Sequence, residues 1–200
     1  MTPDTHASLR QKILEEALAL VSREGVEGVT MRALANKLGY SPATIYLYFR
    51  NKEDLFQEIA RHAAARLMAS TDACVDMADA SAARDTFARA FVDFALEQPH
   101  LYRVLANVDL MPYIADRTLE APGRRLADRY RDIYARGIAA GQIRAANPEY
   151  ELMIDWSLLH GFVSNVLSGA FPPPRLPSVT VTELRDVIVD AIRARTSIAR

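Results

Sequence analysis

Apolar residues recur along this chain at intervals of three and four almost from end to end, the period of an α-helix with one buried face, and no segment alternates convincingly in the manner of a strand. From Ser8 to Glu24, the residues Leu9, Ile13, Ala17, Leu20 and Val21 share one face, and Gly25 ends the helix. Met1 to His6 lacks the pattern and reads as a loose tail. Met31 to Leu38 forms a short second helix with Leu34, Ala35 and Leu38 inward, Thr30 as its N-cap and Gly39 at its left-handed end. Ser41 caps a third helix, roughly Pro42 to Tyr48, with Pro42 at the first helical position. Asn51 caps a fourth, with Glu53 and Asp54 in its first turn as the macrodipole prefers. That helix continues without Gly or Pro to near Ala73, about twenty residues or roughly 30 Å.

The remainder repeats the theme. Ser81 caps a helix to Gln98 that carries Phe87, Ala90, Phe91 and Phe94, and Pro99 opens a short helix with Leu101, Tyr102 and Leu105. A break follows at Met111 to Tyr113. A long helix from about Leu119 to Ala140 presents Leu126, Tyr130, Ile133 and Tyr134 before Gly141. Asn147 and Pro148 start another that runs to about Ser168, and FPPPRLP forces a loop. The last helix, Val181 to Arg195, aligns Val181, Leu184, Val187, Ile188, Ala191 and Ile192 in one stripe. The expected fold class is all-α.

Composition adds bounds. At 200 residues and 50% hydrophobic the chain can bury a core. No apolar run approaches the roughly 18 residues of a membrane span, and the start has no signal-peptide pattern, so a soluble cytoplasmic protein is expected. Cys74 is the single cysteine and reads as a small buried hydrophobe. No catalytic motif, metal-ligand spacing or phosphate-cradling glycine loop is present, and His6, His62, His100 and His160 are scattered. Neither enzyme nor cofactor nor metal is expected.

Charge singles out one stretch. The formal net charge is -1, yet Gly28 to Lys52 contains Arg32, Lys37, Arg50 and Lys52 and no acid, the footprint of a phosphate-facing surface. Two helices joined by a three-residue turn with glycine make a helix-turn-helix. In its second helix Ile45 and Phe49 look inward, whereas Ala43, Thr44, Leu47 and Tyr48 form the patch that would meet a major groove. Tyr46 beside it suits a phosphate oxygen. Lys52 opposes the dipole of its own helix, so it is either a solvated lysine or a phosphate contact, and the acid-free surroundings favour phosphate.

The string VTMRALANKLGYSPATIYLYFRNKEDLF resembles the DNA-binding domain of the TetR family of transcriptional regulators, over about Ser8 to Arg66. The family pattern of a threonine, Ala-x-x-Leu-Gly, Ser-x-x-Thr and Tyr-x-x-Phe-x-x-Lys-x-x-Leu is met at Thr30, Ala35 to Gly39, Ser41 to Thr44, and Tyr46, Phe49, Lys52 and Leu55. The resemblance implies that Thr30, Arg32, Ser41, Ala43, Thr44, Tyr46, Leu47, Tyr48 and Lys52 face DNA. It also implies a helix-turn-helix domain over residues 8–66, joined by a continuous helix to a ligand-binding and dimerisation domain over 67–200. Trp156, His160 and Gly161, as Trp-x-x-x-His-Gly, resemble a C-terminal variant found in part of the family.

The partners expected are an operator in double-stranded DNA, a small-molecule effector and a second copy of the chain. The last two long helices are the expected homodimer contact, although one chain can also satisfy their stripes. Phe87, Phe91, Phe94, Tyr102, Tyr130, Tyr134, Trp156 and His160 are candidate effector contacts, large and partly polar-tipped, although aromatics at helical spacing also serve as core. The function expected is a repressor released by a small, mostly apolar molecule. The alternative is a DNA-bound scaffold of the same fold that recruits a protein partner.

Overall fold

The computed structural model describes residues 3–106, 120–145, 147–170 and 179–197, and among the described residues all regular structure is helical. In chain order come α1 (Pro3–Gly28), α2 (Met31–Leu38), α3 (Pro42–Tyr46) and α4 (Lys52–Ser70), a 3-10 turn (Asp72–Cys74), then α5 (Ala80–Glu97) and α6 (Pro99–Ala106). They are followed by α7 (Glu120–Ala139), α8 (Pro148–Leu167) and α9 (Val181–Thr196). The break at Met111–Tyr113 and the FPPPRLP loop lie outside the described residues.

Local chemistry sets most helix ends. The Thr30 hydroxyl accepts the Ala33 N–H at 3.0 Å, and Gly39 adopts φ 73°, a left-handed conformation that glycine takes without a Cβ penalty. Asn147 caps α8 through the Glu149 N–H, and Thr180 with Glu183 forms a reciprocal capping box on α9. Several ends differ from the sequence reading: α1 reaches Gly28 through a kink at Gly25, whose φ is 73°, and α3 stops at Tyr46 rather than Tyr48. The segment read as a loose tail is helical from Pro3, with proline again at a helix start. The α4 helix stops at Ser70 instead of near Ala73. There the Ser70 hydroxyl donates to the Leu67 carbonyl at 2.8 Å and the Thr71 hydroxyl to the Met68 carbonyl at 2.9 Å, and the chain tightens into the 3-10 turn. The cap of α5 is Asp79 rather than Ser81, because its carboxylate takes the N–H groups of both Ser81 and Ala82.

Contacts divide the chain into two compact units, Met1–Ala65 with His100–Pro122 and Arg66–Pro99 with Gly123–Arg200. The helix α4 runs across the boundary between Ala65 and Arg66 without interruption. In the first unit, Leu9, Ile13, Ala17, Leu20 and Val21 of α1 are all buried, as are Leu34, Ile45, Phe49, Leu55 and Ile59 from α2, the α3 region and α4. This shared core holds a recognition helix too short to persist alone in water. A polar pair adds to it: the Arg10 guanidinium meets Glu58 at 3.0 Å and lies over the Phe49 ring.

In the second unit α5 packs against both α8 and α9. Arginines of α7 serve the ends of other elements: Arg129 donates to the Met68 carbonyl and the Thr71 hydroxyl, both at 2.8 Å, and Arg136 donates to the carbonyls of Met77 and Val75. A cation at the last carbonyls of α4 satisfies groups that the helix itself leaves open. The stripe expected on α9 splits between two faces. Val189, Ile192 and Thr196 point inward, while Val187 is 61% exposed and Ala191 also faces solvent. Apolar residues cover more than one face of this helix, so periodicity alone does not choose between them. Among the described residues no helix is long and apolar enough to cross a membrane.

Candidate nucleic-acid interface

The turn Gly39–Ser41 delivers α3 with its caps in place. Ser41 Oγ accepts the Thr44 N–H at 3.2 Å and lies 3.0 Å from the Thr44 hydroxyl, so the two polar groups at the helix start are already ordered. Ile45 and Phe49 are buried, which turns the opposite side of α3 outward. Ala43 is exposed, Tyr46 is 52% exposed and Leu47 is 76% exposed. A leucine held this far into water contributes nothing to the core, and an apolar contact to a base edge is a use that fits it.

Thr44 and Tyr48 are half-buried, and the Tyr48 hydroxyl is itself buried, which sets Tyr48 apart from the open patch formed by Ala43 and Leu47. Arg32 and Lys37 are exposed on α2, and the Arg50 side chain is 86% exposed beside Asp54 at 3.5 Å. Asp54 also accepts the Arg50 N–H, while its own N–H goes to Asn51 Oδ1 at 2.7 Å. Burial raises the Asp54 pKa, but the hydrogen bonds and charge of Arg50 outweigh it and hold the carboxyl below its ordinary range.

Lys52 has an attachment that the sequence does not reveal. Its ammonium donates to the Val26 carbonyl at 3.0 Å and lies 5.4 Å from the centre of the Phe56 ring. A lysine at a helix N-terminus is therefore compensated inside the first unit, by a carbonyl near the end of α1 and by an aromatic face. Tyr40, 45% exposed in the turn, is a further candidate that sequence reasoning missed. An aromatic residue directly after the turn glycine was the available signal.

Seven of the eight aromatic effector candidates belong to the second unit, and Tyr102 belongs to the first. Phe87 stacks on Tyr130 at 4.2 Å, Tyr130 meets Tyr134 edge-on, and Phe91 contacts both Trp156 and His160. Phe94 is buried on the same helix as Phe87 and Phe91. At the centre stands Asp155, fully buried and absent from the sequence reading. The hydroxyls of Tyr130, at 2.8 Å, and Tyr134 both donate to its Oδ2, and Arg195 pairs with its Oδ1. Burial pushes the Asp155 carboxyl up, against the tyrosines and Arg195, which pull it down.

Both tyrosine pKa values rise through burial and then through the Asp155 charge. Trp156 and His160 are half-buried, their rings 4.4 Å apart, and burial lowers the His160 pKa to about 4. Cys74 is buried and donates its thiol to the Thr71 carbonyl, and burial raises its pKa. Among the described residues no three His, Cys, Asp or Glu side chains are grouped to hold a metal ion.

The surface just described coincides with a known domain. Residues 13–59 match the family model of bacterial regulatory proteins of the tetR family, and residues 85–192 match the tetracyclin repressor-like C-terminal domain. An uncharacterized HTH-type transcriptional regulator, YobS of Bacillus subtilis, is 26% identical over 164 residues, 82% of each chain. The nucleoid occlusion factor SlmA of Glaesserella parasuis is 25% identical over 163 residues, 81% of this chain and 78% of that one. The HTH-type transcriptional repressor AcnR of Corynebacterium efficiens is 41% identical over 66 residues, 33% of this chain and 35% of AcnR. A solved structure from Rhodococcus sp. RHA1, of unknown function, superposes with a TM-score of 0.82 over 99% of this chain and all of that one, at 24% identity. With both family domains matched, the chain belongs to the TetR family, whose members are DNA-binding transcriptional regulators rather than enzymes.

Proposed function

We propose that the protein is a repressor that binds an operator as a homodimer and leaves it when a small, mostly apolar molecule binds the helical domain. The observation that carries the DNA-reading half is the outward face of α3, where Ala43 and Leu47 stand in water among exposed basic residues. In this reading Ala43, Thr44, Leu47 and the exposed part of the Tyr48 side chain, its hydroxyl being buried, meet base edges, and Thr30, Arg32, Ser41, Tyr46 and Lys52 meet phosphates. The DNA-binding domain spans residues 8–66, the effector and dimerisation domain spans 67–200, and the protein works in the cytoplasm, where the DNA is.

Two supports favour a dimer. A five-residue recognition helix reads few base pairs, and helix-turn-helix proteins reach specificity by engaging two half-sites about 34 Å apart. On α8, Tyr150, Met153, Ile154 and Leu158 form an exposed i, i+3, i+4, i+8 stripe, and α9 adds Val187. A second copy covers such a face by two-fold self-association. Because the hydroxyls of Tyr130 and Tyr134 are engaged with Asp155, the effector is to be sought at half-buried Trp156 and His160. A coupling of about 1–3 kcal/mol would weaken operator affinity about 5- to 150-fold, and operator would weaken effector binding by the same factor.

The test is operator binding by the purified protein, with DNA from upstream of its own gene, at two salt concentrations and against a panel of apolar small molecules. Salt-sensitive binding released by one compound is the expected result. A second reading draws on the likeness to the nucleoid occlusion factor: a DNA-bound scaffold that recruits a protein. Tight DNA binding that no compound releases, at many genomic sites, would replace the first reading with the second.

A further inference from the structure

The last helix is fastened by charge as well as by apolar contact. Of the 16 residues of α9, the buried ones are Val189, Ile192 and Thr196. Val181, Leu184 and Ile188 are half-buried beside them, so apolar contact seats one face of the helix. The polar attachments gather toward the C-terminal end of the helix. Arg185 meets Asp93 of α5 at 2.6 Å, Arg193 meets Asp85 of α5 at 2.6 Å, and the fully buried Arg84 donates to the Thr196 hydroxyl while also pairing with Asp85. Arg195 turns to α8, where it bonds both Glu151 and Asp155.

Among these acids Asp155 is the one with no exposure, and it gathers donors from two other helices: Tyr130 and Tyr134 of α7, and Arg195 of α9. A carboxylate in such a place is tolerated only while it is paired, so its partners are held to one geometry. The same residue therefore fixes α7, α8 and the C-terminal end of α9 together. The exposed apolar stripe of α8 runs along the solvent side of the same helix.

We infer that Asp155 is the positioning residue for the self-association surface: by holding Arg195 it seats α9 against α8, so that the two helices meet a second copy as one formed face. This rests on the proposed dimer through α8 and α9. The link also gives the aromatic interior a route to that surface. Any molecule that disturbs Tyr130 or Tyr134 disturbs the carboxylate that Arg195 of α9 pairs with.

Hydrogen exchange on the full-length protein, together with sedimentation at several concentrations, tests the inference. In Asp155→Asn, amides of residues 181–196 are expected to exchange about tenfold faster or more, while those of α5 keep their protection, and the dimer dissociation constant rises about tenfold. Should Asp155→Asn fail to fold, Arg195→Gln removes the same pair from the part-exposed side. Arg195→Lys, which keeps the charge, should retain most of the protection. A purely structural loss would lower protection in α5 and α9 alike and would not be rescued by lysine. Unchanged exchange over 181–196 in the folded variants overturns the latch. If α9 loosens but wild-type protein sediments as a monomer, the latch stands and the dimer surface falls.

Discussion

His160 offers a direct test of whether the second unit's interior is as dry as its packing indicates. Its ring lies 5.1 Å from Phe91 and 4.4 Å from Trp156, and burial lowers its pKa from 6.5 to about 4. The sign follows from comparing the two states. Below pH 6.5 the unfolded chain takes a proton at this histidine while the folded chain refuses it until near pH 4, so stability falls as pH drops through that window. The full gap corresponds to about 3 kcal/mol, of which about 2 kcal/mol is lost between pH 7 and pH 5. In His160→Phe, which keeps an aromatic ring but cannot titrate, that share of the loss disappears.

The assay is urea unfolding at pH 7 and pH 5, followed by circular dichroism because Trp156, the only tryptophan, touches the mutated position. Every other group is common to the two proteins and cancels in the comparison. Wild type should lose about 2 kcal/mol more than the variant over this range. Equal losses in the two proteins would show that water reaches the imidazole and would refute the buried placement.

Leu47→Ala should leave stability within about 0.5 kcal/mol, since its side chain contacts mainly solvent, yet weaken operator binding in a mobility-shift assay; unchanged affinity would remove α3's outer face as the reader. Lys52→Ala should lower stability by about 1 kcal/mol, because it frees the Val26 carbonyl. If Lys52 also touches phosphate, the same change reduces the salt slope of DNA binding by about 1, and an unaltered slope assigns Lys52 to the fold alone. Gly39→Ala should cost about 1 kcal/mol in chemical denaturation: its φ of 73° strains any Cβ although the surrounding space is open. Val187→Asp should yield monomers by light scattering with helix content intact, and a persistent dimer would place the contact elsewhere.

By itself the sequence determined the features made within a few residues. Thr30, Ser41, Asn51 and Asn147 cap their helices, Gly39 turns the chain, and Ile45 and Phe49 bury one side of α3 while Leu47 faces out, because each depends on neighbours three or four positions away. Two ends fell elsewhere than the pattern placed them, the cap of α5 at Asp79 rather than Ser81 and the end of α4 at Ser70 rather than near Ala73, where several adjacent polar side chains compete for the same backbone groups. The tertiary structure alone decided the partners of charged and polar groups far apart in the chain. Lys52 finds the Val26 carbonyl, and Asp155 finds Tyr130, Tyr134 and Arg195, with nothing in the local pattern to announce either meeting. It also decided which side of α9 is core, since apolar residues line more than one face and the choice falls to what α5 and α8 present. Periodicity encodes that a helix has an inside. Which atoms wait there is settled only when the helices come together.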